Sequence, residues 1–222
     1  KFEISRTEQE EFALDSHAKA AKAFSEGNFS KELVTIYSNG HEYSNDDCIR
    51  ADTSLDSMSR LNPAFVDDGS VTAATSSPLT DGAVFSLICS EDFAESHSLK
   101  PIAAIVSGAV TGCPPELMGL GPISSTKLAL ERANWNISDI DVFELNEAFS
   151  SQSIACIREL GLDPSSVNLD GGALAIGHPL GASGARIACK AASIMSRNDA
   201  QRAMASMCIG GGMGISIALE AI

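Results

Sequence analysis

Residues 170–221 read DGGALAIGHPLGASGARIACKAASIMSRNDAQRAMASMCIGGGMGISIALEA, and this stretch sets the fold class. It opens with a glycine-rich loop over 170–179. Residues 181–195 then read as a helix and 203–208 as a strand. Residues 210–214 are a glycine turn. Beyond it Ile215, Ile217, Leu219 and Ala221 alternate, the period of a half-buried strand.

Working upstream, the same alternation of element types continues. Residues 148–160 suit a helix and 140–145 a strand. Residues 120–134 suit a helix carrying Leu128, Leu130 and Ala133, and 102–110 a strand. Residues 91–98 suit a short helix, and the apolar run 82–89 reads as a buried strand. The order βαβαβαββ indicates an α/β unit, a mixed sheet covered by helices. Residues 31–69 are mixed and polar, with Asn39-Gly40 and Asp67-Asp68-Gly69 as turns, and read as an irregular segment lying over another surface. Residues 5–27 read as a helix. Ser5 can cap it, Glu8 completes a capping box, and Gly27 stops it. Phe12, His17, Ala20, Ala21 and Phe24 recur at near-helical spacing.

Composition bounds the function. The 222 residues are 44% hydrophobic, enough to bury a core as one large or two small domains. Fifteen basic and 29 acidic residues give a net charge of −14, which argues against nucleic acid and anionic membranes as partners. The six cysteines are scattered with no CxxC pair. They read as buried free thiols of a reducing compartment, and no metal site is expected. No signal peptide or membrane-spanning run stands out, so a cytoplasmic location is expected, with an organelle matrix left open. The first residue is Lys1, and the chain reads as a piece of something longer.

Three segments set reactive side chains among glycines. Asn146-Glu147-Ala148-Phe149 lies where a strand gives way to a helix, a junction where ligands bind in α/β folds; Asn146 reads equally well as a helix cap. His178 sits inside Gly171–Arg186, fixed by Pro179 and framed by glycines, which favours acid/base work over a structural histidine. The loop lacks the Gly-Lys-Ser/Thr of a phosphate loop. Cys208 ends a strand before Gly210-Gly211-Gly212, whose N–H groups can hold a negative oxygen; a buried small residue beside a tight hairpin is the plainer alternative.

Together these segments resemble the thiolase family. Its signatures Asn-Glu-Ala-Phe, Gly-His-Pro-x-Gly-x-Ser-Gly-Ala-Arg and Cys-x-Gly-Gly-Gly-x-Gly occur here in order. The stretch from Thr53 to Phe65 is similar to the family segment lying against coenzyme A. Gly69-Ser70-Val71-Thr72-Ala73 through Asp81-Gly82-Ala83 is similar to another signature. Ala74-Thr75-Ser76-Ser77 and Thr80-Asp81-Gly82 look like fatty-acid-degrading members, whereas Asn146 looks like acetoacetyl-CoA types.

The resemblance implies an acyl-CoA:acetyl-CoA C-acyltransferase, catalysing reversible Claisen condensation and thiolysis of 3-ketoacyl-CoA in fatty acid metabolism. Coenzyme A is substrate or product, and no covalently bound cofactor is implied. His178 is then the base that activates a nucleophilic cysteine, and Cys208 the second acid/base. Asn146 holds a water that forms one oxyanion site with His178, and the Gly210 N–H contributes to the other. Ser77 corresponds to a pantetheine contact, Arg50 to a basic residue near the adenine–phosphate end, and Phe65, Leu79, Met118, Ala148 and Phe149 to tunnel-lining positions. The resemblance also implies residues 1–79 as part of an inserted, CoA-contacting loop domain and 80–222 as the C-terminal domain. The expected partners are the missing N-terminal half and further copies, as dimer or tetramer. None of the six cysteines sits in the nucleophile's expected setting; only Cys89 precedes a serine. The chain alone is therefore expected to be inactive. A truncated or split thiolase serving as a binding or assembly module is the alternative, and a related condensing enzyme of fatty-acid or polyketide synthesis a weaker one.

Overall fold

The computed structural model describes residues 2–222. Its elements in chain order are α1 (Arg6–Ser25), β1 (Ile36–Ser38), β2 (His41–Tyr43), α2 (Leu55–Ser59), α3 (Glu91–Ser96), β3 (Ala104–Gly112), α4 (Gly121–Ala133), β4 (Val142–Leu145), α5 (Ser150–Leu160), α6 (Ala173–Ile176), α7 (Ser183–Arg197), β5 (Arg202–Ile209) and β6 (Met213–Glu220). Four strands form one mixed sheet in the order β3-β6-β5-β4. β3 and β5 run antiparallel to β6, and β4 runs parallel to β5.

Successive strand residues point to opposite faces, and the pairing keeps those faces in step. Val142 lies opposite Ala203 and Phe143 opposite Met204. Phe143, Leu145, Met204 and Ala218 pack with α4 and α5 residues such as Ala129, Leu130, Cys156 and Leu160. Val142, Ala203, Ala205 and Leu219 pack on the other face with Ile187, Ala191, Ile194 and Met195 of α7. β4 is thus buried on both sides. Helices α4 and α5 end on residues with positive φ, Asn134 at 56° and Gly161 at 65°. The carboxyl ends of β4 and β5 lie side by side, and that edge carries the site.

Helix α1 starts as expected. Ser5 and Glu8 form the capping box, Ser5 Oγ accepting from the Glu8 N–H and Glu8 accepting from the Ser5 N–H. Its buried face differs from the apolar reading. It is centred on Gln9, Ala13, Ser16, His17 and Ala20, while Phe24 is exposed. Asn39 and Gly40 take φ of 52° and 78° and join β1 to β2 as a tight hairpin.

One expected strand is corrected. Residues 82–89 form no ladder and are exposed, Phe85 at 92%. A strand needs a neighbour for its N–H and C=O groups. The sheet ends at β3 and β4, and this run pairs with neither edge. The order from residue 91 onward is therefore helix-first, with the mixed sheet and its covering helices as expected. The glycine loop also contains a short helix, α6, that periodicity did not reveal. The six cysteines are free, but only Cys156 and Cys208 are buried; Cys89 and Cys189 are exposed. Among the described residues no helix is long and apolar enough to cross a membrane.

Candidate active site

The site begins where β4 ends. The Asn146 N–H donates to the Ser206 carbonyl at 2.9 Å, so the β4–β5 ladder continues one residue past the strand. Asn168 braces this point from the side. Its Oδ1 accepts from the Leu145 N–H at 2.8 Å, and its Nδ2 donates to the Leu145 carbonyl at 2.9 Å and to Glu147 Oε1 at 2.7 Å. Glu147 is buried and also accepts from Ser16 Oγ at 2.7 Å and from the Leu174 N–H at 3.1 Å. Ser16 Oγ in turn accepts from the Gly172 N–H at 3.1 Å. One carboxylate thus ties α1, the end of β4 and the glycine loop together. Burial pushes its pKa above the ordinary carboxylate value, against the pull of the Ser16, Asn168 and Leu174 hydrogen bonds.

That bracing fixes the loop carrying His178. The His178 N–H donates to the Pro78 carbonyl at 2.9 Å, and Arg186 Nη1 donates to the Gly177 carbonyl at 2.7 Å. Gly177 has φ +94°, and a Cβ there would meet Thr80 Oγ1 at 2.6 Å, so a side chain is excluded on both grounds. The imidazole is buried between two polar partners. Nδ1 lies 2.6 Å from Ser183 Oγ, and Nε2 lies 3.4 Å from Asn146 Nδ2. Burial, then the Arg186 charge, lowers the pKa below the usual histidine value, favouring the neutral ring.

Cys208 is buried on β5, opposite Gly214. It lies two residues beyond Ser206, the partner of Asn146, and so about 7 Å further along the strand. Burial raises its thiol pKa above the ordinary value. The turn that follows uses positive φ at Gly211 and Gly212. At Gly212 a Cβ would lie 2.4 Å from the Cys113 carbonyl oxygen, whose own N–H donates to Gly212 O at 2.8 Å. The start of α7 lies against the same edge: a Cβ at Gly184 would sit 3.5 Å from Met207 Sδ. Asn146 and His178 therefore meet at the carboxyl edge of two neighbouring strands, where α/β folds bind ligands, and Cys208 lies further along β5.

Several of the remaining sequence candidates fall into one cluster. Ser77 donates from both N–H and Oγ to the Ala148 carbonyl, at 3.0 and 3.1 Å. Ser76 pairs with Phe149, and Phe65 meets the Phe149 ring edge-on at 6.0 Å. Leu79 lines a shallow hollow of about 360 Å³ with His178 and Leu180. Met118 sits in the 3-10 turn Pro115–Leu120 before α4, its carbonyl accepting from the Gly121 N–H. Gly210 is exposed at the β5–β6 turn. Arg50 is anchored elsewhere, its N–H donating to His17 Nδ1 on α1 at 3.1 Å.

A second cavity of about 600 Å³ opens beside Asn146, and sequence reasoning did not anticipate it. Thr80, Asp46, Glu144, Arg186 and Lys190 line it too. Glu144 Oε1, Asn146 Oδ1 and Thr80 Oγ1 are buried without hydrogen-bond partners. Burial raises the Glu144 pKa to about 8, although the Lys190 charge pulls it down.

The family model described as "Thiolase, C-terminal domain" matches residues 99–221, and "Thiolase, N-terminal domain" matches residues 1–92. The chain belongs to the thiolase family. It is 47% identical over 224 residues to an acetyl-CoA acetyltransferase of Paracoccus denitrificans, covering 99% of this chain and 57% of that one. It is 49% identical over 228 residues to a 3-ketoacyl-CoA thiolase of Yersinia pestis strain Pestoides F, covering 98% and 58%. Among solved structures it matches human mitochondrial 3-ketoacyl-CoA thiolase in complex with CoA at 39% identity and a TM-score of 0.95, covering 99% of this chain and 55% of that one. It also matches the Bacillus anthracis acetyl-CoA acetyltransferase at 40% identity and a TM-score of 0.96, covering 100% and 57%. The chain thus spans a little over half the length of the thiolases it matches.

Proposed function

We propose that this chain supplies the histidine–asparagine–cysteine part of a thiolase active site, acting on acyl-CoA thioesters by reversible condensation and thiolysis. The observation that supports it is the buried His178 held between Ser183 and Asn146 at the end of β4, beside the strand that carries Cys208. A thiol becomes a strong nucleophile once a neighbouring base takes its proton. His178 is that base, for a cysteine supplied from outside these residues.

In the thiolysis direction the resulting thiolate attacks the 3-keto carbon, and the bond between that carbon and the α-carbon breaks. The electron pair leaves as the enolate of acetyl-CoA. Asn146 holds a water that, with His178, steadies the enolate oxygen, and the Gly210 N–H, with the nucleophile's own N–H, steadies the oxygen on the carbon attacked. Cys208 gives its S–H proton to the enolate carbon, a role its raised thiol pKa suits. Coenzyme A then gives its thiol proton to the Cys208 thiolate and takes the acyl group, and the released enzyme thiolate takes back the proton held on His178. Ser77, Phe65, Ala148, Phe149, Leu79 and Met118 line the path of the pantetheine arm, and Arg50 stands further out toward the nucleotide end.

The test is complementation. The 222-residue chain is mixed or co-expressed with the part of the Paracoccus denitrificans relative that it does not match. Acetoacetyl-CoA loss is then followed with added coenzyme A. Neither piece alone should turn over, and the pair should. A well-folded, associated pair without activity would overturn the catalytic reading in favour of a binding or assembly module. Exposed Val84, Phe85, Leu87 and Ile88 favour an associating partner under either reading.

A further inference from the structure

A neutral imidazole carries its proton on one nitrogen, and the hydrogen bond made by the other ring atom selects which. Here that choice can be read from the contacts. Ser183 is fully buried at the first position of α7, and its Oγ donates to the Pro179 carbonyl at 3.0 Å. A carbonyl only accepts, so a hydroxyl proton directed at it leaves Oγ its lone pairs alone for a second partner. In that arrangement Ser183 Oγ meets His178 Nδ1, 2.6 Å away, as an acceptor, and Nδ1 carries the ring proton. The other side agrees. The group facing Nε2 is the Asn146 amide nitrogen at 3.4 Å, a donor, so Nε2 presents a lone pair. The Pro179 carbonyl also takes the Ser183 N–H at 2.9 Å, which locks the serine to the same turn as the histidine.

We propose that Ser183 is a positioning residue that fixes His178 as its Nδ1–H tautomer and so leaves Nε2 as the basic atom. The proposal deepens the reading of His178 as the activating base and rests on it for its purpose. Its physical content is independent of turnover. Without the Ser183 hydroxyl, Nδ1–H would be a buried donor with no acceptor. The proton then moves to Nε2, where Asn146 Oδ1, itself without a partner, can accept it after the amide rotates. The base would be lost while the histidine stayed in place.

The experiment is nitrogen-15 NMR of the whole chain labelled at histidine, recorded above the histidine titration range. The His178 signals are assigned by their loss in His178→Gln. The unsubstituted chain should show Nδ1 protonated and Nε2 bare. Ser183→Ala should lose that pattern, and Ser183→Thr should restore it. The idea is overturned if the unsubstituted chain shows Nε2–H or a mixture, or if Ser183→Ala keeps the Nδ1–H form. Should Ser183→Ala fail to fold, the spectra of the unsubstituted chain and of Ser183→Thr still decide. A failed complementation assay with the Nδ1–H tautomer present would sink the catalytic reading and leave the role of Ser183 standing.

Discussion

Glu144 is a carboxyl group held where its charge is poorly accommodated, and replacing it should stabilise the protein in a pH-dependent way. It is buried on β4 with one oxygen unpartnered, and its pKa is raised from 4.5 to about 8. In the unfolded chain it ionises near the ordinary value. Between the two values the unfolded state therefore binds fewer protons than the folded one, and folding stability falls as pH rises. The difference, 8 − 4.5 = 3.5 units, corresponds at about 1.36 kcal/mol per unit to roughly 5 kcal/mol as an upper bound. Glu144→Gln keeps the shape and cannot ionise. The variant should match the original chain near pH 4. It should gain progressively through pH 5–8 and level off above the folded pKa, with a gain of about 2–5 kcal/mol. Urea unfolding at a series of pH values measures this directly. Glu147 and Asp46 are also shifted upward and tilt both curves, and the difference reports Glu144 together with its charge coupling to Glu147, Asp170 and Lys190. Parallel curves, or a variant less stable at pH 8, would refute the reasoning.

Two other perturbations follow from the same contacts. Asp170 takes two hydrogen bonds from Arg197, each at 2.8 Å, and one from Lys190 at 3.3 Å; burial alone would raise its pKa, but these cations hold it below the usual value. Its stabilising contribution is thus present above the unfolded pKa and lost as pH falls through the folded one. Asp170→Asn should cost about 3–5 kcal/mol at pH 7 and much less near pH 3, by the same urea titration. The exposed run at 84–88 should drive association: light scattering at about 10–50 µM should show dimers or larger species, and Phe85→Asp with Ile88→Asp should reduce them. A clean monomer of the unsubstituted chain would count against that.

What the sequence made legible was local. The Ser5–Glu8 capping box, the Asn39-Gly40 turn, the stop at Gly27 and the alternation of β6 each depend on residues a few positions apart, and each appears in the structure. The reactive side chains His178, Asn146 and Cys208 stood out for the same reason, because glycines and strand ends framed them. What could not be read depends on distant partners. Ser16 reaches Glu147 across 131 positions, and Asn168 braces β4 from a separate loop. No periodic signal marks either. Nothing in the sequence sets Glu144 apart, and only the packing of α7 over β4 shows it buried. The run at 82–89 has the composition of a strand, but composition cannot supply the neighbouring ladder.

The central claim is that His178 and Cys208 divide the chemistry, and one paired measurement on the complemented enzyme tests it. Acyl-enzyme is trapped and weighed by mass spectrometry while deuterium exchange is followed at the acetyl methyl. His178→Ala should abolish acylation, because the nucleophile loses its base. Cys208→Ser should leave acylation largely intact and stop the α-proton exchange, by on the order of a hundredfold or more. If Cys208→Ser blocked acylation as fully as His178→Ala, the division of labour would be contradicted.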